Sequence, residues 1–321
     1  MSVSSATTAG RHPAQAGAVA APSALQRALR LIGDYVELTK PKVQSLLLLT
    51  TISAMYIAGE PSPALVALTC LGGYLSAGGA GAINHYIDRD IDSLMRRTAD
   101  RPIPAGRISG RSAVIFGCTL AALSVLELSL AVNTLAAALS FSGFLGYVFI
   151  YTAWLKRRTP QNIVIGGAAG AIPPMVGWAA VRGSVSATAA ILFMIVFFWT
   201  PPHFWSLSLL MKGDYERVGV PMLPVAQGEE ETRRQILLYT VLLYMVTQLP
   251  YCVGAFGTFY LVASLLLGFG FIGGALRLYR ARGGTPSATA ALRRRNALQL
   301  YLFSLAYLAL LFAAMVADVR L

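Results

Sequence analysis

Asn84, Asp88 and Asp92 recur every four residues where a long apolar run, 64–83, gives way to polar chain. In a helix each step of four advances the direction by only about 40°, so the three side chains share one face. Asp90 points elsewhere and falls outside that set. Two carboxylates and an amide oxygen in line are hard oxygen ligands, the kind Mg2+ accepts while it keeps waters and binds substrate phosphates. Arg96 and Arg97 follow at once, with Arg101 beyond, and guanidinium forks grip phosphate oxygens in pairs. Acids that gather a metal beside bases that gather phosphate read as a diphosphate site at a membrane surface. A solvated loop at the end of a membrane helix would explain any one of these acids. It does not explain a strict period of four in a chain with only 14 acidic residues.

The elements that position this stretch are apolar. Of 321 residues, 56% are hydrophobic and 12% charged, about half the charge of a typical soluble domain, so the chain reads as a polytopic, all-α membrane protein. Nine apolar segments approach the ~20 residues a span requires: about 43–59, 64–83, 112–131, 134–154, 162–181, 187–209, 236–256, 258–279 and 297–317. Residues 1–30, rich in Ala, Ser, Gly and Pro, read as a disordered cytoplasmic tail, and 31–321 as the transmembrane domain. Leu31 to Lys42 is semi-polar and suits an interfacial helix leading into the first span. Cys70, Cys118 and Cys252 have no paired spacing and are expected to be core residues.

The net charge of +12 could indicate nucleic acid, but its placement argues against that partner. The tail and the loops after segments 2, 4, 6 and 8 carry 24 of the 26 Lys and Arg; the other side keeps Arg182 and Arg320. The positive-inside bias then puts the N-terminus in the cytoplasm and the C-terminus across the membrane. Glycines crowd segments 2 and 5, where small residues let backbones approach. Pro173-Pro174 and Pro201-Pro202 are expected to kink or break their helices and to line an internal chamber.

One other loop on the basic side is patterned. After Pro201-Pro202-His203-Phe204-Trp205 comes Lys212-Gly213-Asp214-Tyr215-Glu216-Arg217, leading to Gly219-Val220-Pro221-Met222-Leu223-Pro224. Asp214 could be a second half of the metal site, with Lys212 and Arg217 on phosphate; a solvated loop fits the spacing equally.

Asn84-x-x-x-Asp88-x-x-x-Asp92 resembles the first aspartate-rich motif of the UbiA intramembrane prenyltransferase superfamily. Leu38-Thr39-Lys40-Pro41, Arg97-Thr98-Ala99-Asp100-Arg101-Pro102, Gln161-Asn162, the Pro-Pro-His-Phe-Trp stretch and Gly219 through Pro224 resemble the branch that farnesylates protohaem. The likeness runs from about Asp34 to Ala317. It implies nine transmembrane helices around a central cavity; a bacterial inner membrane with the C-terminus periplasmic is the expected setting, and a mitochondrial inner membrane the alternative. It also implies farnesyl diphosphate and haem b as substrates, haem O as product, Mg2+ as cofactor, and haem A synthase or oxidase assembly factors as candidate partners. On that reading Asn84, Asp88, Asp92 and Asp214 hold Mg2+, while Arg96, Arg97, Arg101 and Lys156 or Lys212 contact diphosphate. His203, then His85, are the candidates for haem iron or propionate. Many superfamily members carry two or three aspartates in the second motif; here Asp214 stands alone. Two other functions share parts of the pattern: prenyl transfer to an aromatic acid or quinone precursor, and solute transport. The first has no need of Pro-Pro-His-Phe-Trp. Against the second, the acids cluster on one side and no inverted repeat is evident.

Overall fold

In the computed structural model of the chain, which describes residues 23–321, every regular element among the described residues is a helix. The expected tail lies outside the described residues as far as residue 22. Helix α1 (Ala24–Leu38) then begins inside its expected range, with a capping box in which Gln26 N–H donates to Ser23 Oγ and Ser23 N–H to Gln26 Oε1. The spans that follow are α2 (Pro41–Ala58), α3 (Pro63–Ile87), α5 (Gly110–Ala131) and α6 (Thr134–Leu155). Short α4 (Arg89–Leu94) lies between α3 and α5. The fifth apolar segment is α7 (Asn162–Gly170) and α8 (Pro173–Arg182), followed by α9 (Ala187–Leu210). Short α10 (Lys212–Arg217) and α11 (Leu223–Ala226) precede α12 (Gly228–Cys252), α13 (Thr258–Tyr279) and α14 (Pro286–Asp318).

The chain is a multi-pass membrane protein. Among the described residues eight segments are long and apolar enough to cross a bilayer, so the count of nine is not confirmed. The segment that falls short is α2, whose 18 residues open on the polar turn Pro41-Lys42-Val43-Gln44. Helix starts are closed by short polar side chains, because the first N–H groups of a helix have no partner within it. Ser62, Ser109, Asn133, Ser186 and Thr285 accept from backbone N–H groups of α3, α5, α6, α9 and α14. Asn133 serves twice, since its Nδ2 also donates to Ala179 O of α8 at 2.9 Å.

Glycines set how closely α3 and α5 pack. A Cβ on Gly79 would lie 2.6 Å from Gly117 O and 3.2 Å from Ala121 N, both backbone atoms that cannot rotate away. Ser124 Oγ, on the same face of α5, donates to Gly72 O at 2.7 Å. Gly79→Ala is therefore expected to separate the pair and lower stability by about 1–3 kcal/mol. Thermal unfolding in detergent reads this out; an unchanged midpoint would show that the contact has slack.

Two expectations need correcting. The Pro173-Pro174 break is present, between Gly170 and Pro173, but Pro201-Pro202 lies buried within an uninterrupted α9. Each proline lacks an N–H for the helix ladder, and burial of both against neighbouring elements keeps the helical backbone continuous across the missing bonds. The cysteines are not core residues: Cys118 and Cys252 are exposed and Cys70 is half-buried. Where the outer surface meets lipid, an apolar sequence neighbourhood does not imply burial. Helix α12 starts at Gly228, ahead of its apolar segment, with Glu229-Glu230-Glu231 as its first turn, where acids suit the positive helix end.

Candidate active site

The three residues at the period of four come together as the spacing requires. Asp88 interrupts the helix (φ −88°, ψ 2°) between α3 and α4. The ladder nevertheless runs through it: Asp88 N–H donates to Asn84 O at 2.9 Å and Asp92 N–H to Asp88 O at 2.8 Å. Asn84, Asp88 and Asp92 are 3%, 1% and 3% exposed, so this is a sealed polar cluster and not a wet loop end.

Burying two carboxylates demands partners, and the chain supplies them from four directions. Lys156 Nζ donates to Asp88 Oδ2 at 2.5 Å. Arg101 NH1 donates to Asp92 Oδ2 at 2.6 Å. Asn84 Nδ2 donates to Asp88 Oδ2 at 2.8 Å and to Thr152 Oγ1 at 3.1 Å, while Asn84 Oδ1 accepts from Lys40 Nζ. Asp88 Oδ1 is sealed from solvent yet accepts no hydrogen bond; Arg157 stands 3.8 Å from it. Lys40, Lys156 and Arg101 beside two carboxylates leave positive charge in excess. Burial, then Arg101 and Lys156, push the Lys40 ammonium down to about 7. An anion delivered here would restore it.

Two irregular pieces of backbone aim the lysines. The second half of α6, Gly146–Leu155, is a π-helix, a form concentrated at functional sites. Its wider turn lets Thr152 Oγ1 donate to Tyr147 O, five residues back, at 2.8 Å. It also brings Lys156, whose N–H donates to Tyr151 O, over Asp88. Lys40 is the one non-glycine residue with positive φ among the described residues (φ 55°, ψ 56°). That conformation costs an L-residue about 1–2 kcal/mol, so the surroundings must hold it. Gln44 Nε2 donates to Thr39 O at 2.6 Å, Thr39 Oγ1 meets Tyr74 OH at 3.1 Å, and a Cβ on Gly81 would lie 2.9 Å from Leu38 O. Some glycines of the second apolar segment thus make room for this corner, not only for another helix.

The other sequence-predicted residues divide. Arg96 and Arg97 are exposed and donate to no acid among the described residues. Lys212 pairs with Glu229 at 3.4 Å and Glu216 at 3.5 Å, and Asp214 with Arg217 at 3.5 Å. No group of three His, Cys, Asp or Glu side chains among the described residues is close enough to hold an ion, so Asp214 does not join Asp88 and Asp92. Tyr215 brings the second loop nearest: burial pushes its phenol up, and it lies in the fields of Arg97, Asp214, Asp88 and Arg101. Asp90, set aside on helical phase, is held by a fork from Arg157 at 2.6 and 2.7 Å, which takes its carboxyl down to about 2.

His85 is 1% exposed, with neither ring nitrogen hydrogen-bonded. His203 is stacked between Trp199 and Tyr301, ring centroids 4.2 and 4.9 Å away, with Nδ1 2.7 Å from Ser304 Oγ. Sequence reasoning gave no role to Lys40, Tyr147, Thr152, Arg157 or Ser304. Lys40 enters there only within the semi-polar Leu31 to Lys42 segment and the Leu38-Thr39-Lys40-Pro41 stretch of family likeness.

Oxygen ligands with one unsatisfied carboxylate oxygen, ringed by cations, suit a divalent metal carrying a diphosphate. The sequence model described as the UbiA prenyltransferase family matches residues 47–298. The protoheme IX farnesyltransferase of Chloroflexus aurantiacus is 53% identical over 290 residues, 90% of this chain and 48% of that one. The chain spans about half the length of this relative and of two from Roseiflexus. The protoheme IX farnesyltransferase of Parvibaculum lavamentivorans is 49% identical over 288 residues, 89% of this chain and 88% of that one. Among solved structures, one described as digeranylgeranylglyceryl phosphate synthase in membranes superposes with TM-score 0.72 at 21% identity, over 91% of this chain and all of that one. A UbiA homolog from Archaeoglobus fulgidus bound to DMAPP and Mg2+ gives 0.64 at 17%, over 86% and 99%. The helical architecture is theirs, and the sequence match covers most of the spans: the chain belongs to the UbiA prenyltransferase family.

Proposed function

We propose that this protein transfers a farnesyl group from farnesyl diphosphate to a vinyl group of haem b, giving haem O. The observation that carries this reading is the sealed Asn84/Asp88/Asp92 cluster, with its unpartnered Asp88 oxygen and its ring of Lys40, Lys156 and Arg101. Relatives about half identical over most of the chain bear the name of this activity, and a structure of the same fold is described with a prenyl diphosphate and Mg2+.

Asp88, Asp92 and Asn84 would hold Mg2+; Asp214, which stands apart from them and pairs with Arg217 in this structure, would add a further acid only if its loop closes over the site. Bound there, the ion neutralises charge that builds on the leaving diphosphate. Lys40, Lys156 and Arg101 donate to the same oxygens, and pre-aimed donors of this kind stabilise charge without reorganising when it develops. The farnesyl C1–O bond breaks and its electron pair leaves with the diphosphate. The haem vinyl π-pair forms the new carbon–carbon bond; water then adds to the resulting cation and loses a proton, leaving a hydroxyethylfarnesyl group. Sealing at Asp88 keeps water from the allylic cation until that step. The charge asymmetry of the loops supports an N-terminus on the basic, cytoplasmic side and a C-terminus across the membrane, periplasmic if the setting is a bacterial inner membrane, with 31–321 as the prenyltransferase domain. Haem A synthase or oxidase assembly factors are the partners to which such a product would pass.

His203 is the proposed contact for haem iron, and its neighbours favour the needed tautomer. Ser304 Oγ donates to Tyr301 O at 2.6 Å, so it accepts from Nδ1–H of His203 and leaves Nε2 a bare lone pair. In His203→Ala protein the absorption band of bound haem b is expected to shift to that of a weaker-field ligand, and in Ser304→Ala part of the way. An unchanged spectrum in His203→Ala would remove this role. The function itself is tested by incubating purified protein with Mg2+, farnesyl diphosphate and either haem b or an aromatic acid, then separating products by chromatography with mass detection. A heavier haem that requires both Mg2+ and diphosphate supports the reading; a prenylated aromatic acid with unchanged haem overturns it.

A further inference from the structure

Helix α1 divides into three sectors. Leu38 is buried, and Tyr35 packs edge-on against Phe116 of α5 at 4.8 Å, so one sector faces the protein. Leu25, Leu29, Ile32 and Val36 are 68%, 59%, 60% and 47% exposed, and their spacing of four, three and four makes them one stripe. Gln26, Arg27, Arg30, Asp34 and Glu37 form the third. A groove of about 350 Å³ runs beside the stripe, lined by Ile32 and Val36 of α1, Tyr74 and Leu75 of α3, and Phe116 and Leu120 of α5. An exposed apolar stripe on a helix that leads directly into membrane spans has hydrocarbon as its natural cover.

Charge narrows the choice of cover. The acids of α1 are occupied, since Arg107 holds Asp34 at 2.8 Å and approaches Glu37 at 3.7 Å. Arg27 and Arg30 are exposed and pair with no acid among the described residues. The first half of the helix therefore presents two cations beside the apolar stripe. We propose that α1 lies in the membrane interface as an anionic-phospholipid dock, its stripe and groove taking acyl chain and Arg27 and Arg30 taking headgroup phosphates.

The dock reaches the reaction centre through the backbone. One residue past α1, Thr39 is tied to Tyr74, and the next is Lys40, whose left-handed corner sends Nζ to Asn84. Arg107, which clamps α1, lies in the same polar loop as Arg101, which holds Asp92. Seating α1 on lipid thus fixes both ends of a strained corner that aims a cation. This last link rests on the proposed diphosphate role of Lys40; the docking does not.

The test uses full-length protein in nanodiscs of phosphatidylcholine alone or with about one third phosphatidylglycerol. Amide hydrogen exchange is followed over 24–38. Two arginines at an anionic surface give a roughly thirtyfold preference, so exchange is expected to slow about tenfold or more with phosphatidylglycerol. Arg27→Gln/Arg30→Gln should abolish that difference, and Leu25→Gln/Leu29→Gln should speed exchange in both discs. Equal exchange in neutral and anionic discs would overturn the anionic dock. Full protection in detergent without phospholipid would mean that the chain before Ala24, or a second copy, covers the stripe instead, and would overturn it too. If docking holds, the KM for farnesyl diphosphate should rise in the glutamine variants with kcat little changed. An unmoved KM would sever the link to Lys40 while leaving the dock intact.

Discussion

Asp88→Asn protein is expected to fold, to bind haem b as the parent does, and to form farnesylated haem at no more than about a thousandth of the parent rate. Asparagine keeps the shape of the side chain and the acceptor facing Asn84 Nδ2, but it removes the charge. Asp88 is the acid with most at stake. It accepts from Lys156 and Asn84 through one oxygen and keeps the other without a partner in a sealed site. Asp90, two residues along, is the internal control: its side chain is 61% exposed and braced by Arg157. Asp90→Asn should stay within about threefold of the parent, since exposed pairs contribute little. Product formation by mass spectrometry under single-turnover conditions separates the two. Comparable losses in both would mean that position along the loop, and not the shared helical face, decides function.

Lys156→Met should lower kcat/KM for farnesyl diphosphate by about a hundredfold or more, whereas Lys212→Met should leave it within about threefold. Sequence alone offered these lysines as alternatives. The structure puts Lys156 on Asp88, 14% exposed, and gives Lys212 to Glu216 and Glu229 at the loop surface. Removing a buried cation forfeits a donor to the diphosphate and leaves Asp88 short of countercharge. Steady-state kinetics with varied diphosphate measure both variants. A large effect at Lys212 with none at Lys156 would mean that the second loop closes over the substrate and takes over the cationic role.

Much of the site was legible because its logic is local. The period of four survives the break at Asp88, since the ladder bonds on either side of it are kept, and helical phase correctly set Asp90 apart. What stayed hidden depends on backbone that composition does not announce. Lys156 reaches Asp88 from a π-helical stretch that a 3.6-residue period misplaces, and Lys40 enters from a left-handed corner. The arginines show the limit of chemical type as a guide. Arg96 and Arg97 have the same fork as Arg101, but the turns after Met95 fold Arg101 back onto Asp92 and leave the other two in the open. Asp214 shows the same limit for acids, since its carboxylate meets Arg217. The spans were readable from hydropathy, while Pro201-Pro202 and the outward cysteines were not, because packing and lipid decide those positions.

The central claim, that Asn84, Asp88 and Asp92 hold a metal-bound prenyl diphosphate, is tested most directly by calorimetric titration. Unreactive farnesyl thiolodiphosphate is titrated into the protein with Mg2+ and with chelator, for the parent and Asp88→Asn. The account expects tight binding to the parent that weakens at least about a hundredfold without Mg2+, and no such difference in Asp88→Asn. Equal affinity with and without Mg2+ in the parent, or full Mg2+-dependent binding in Asp88→Asn, would contradict it.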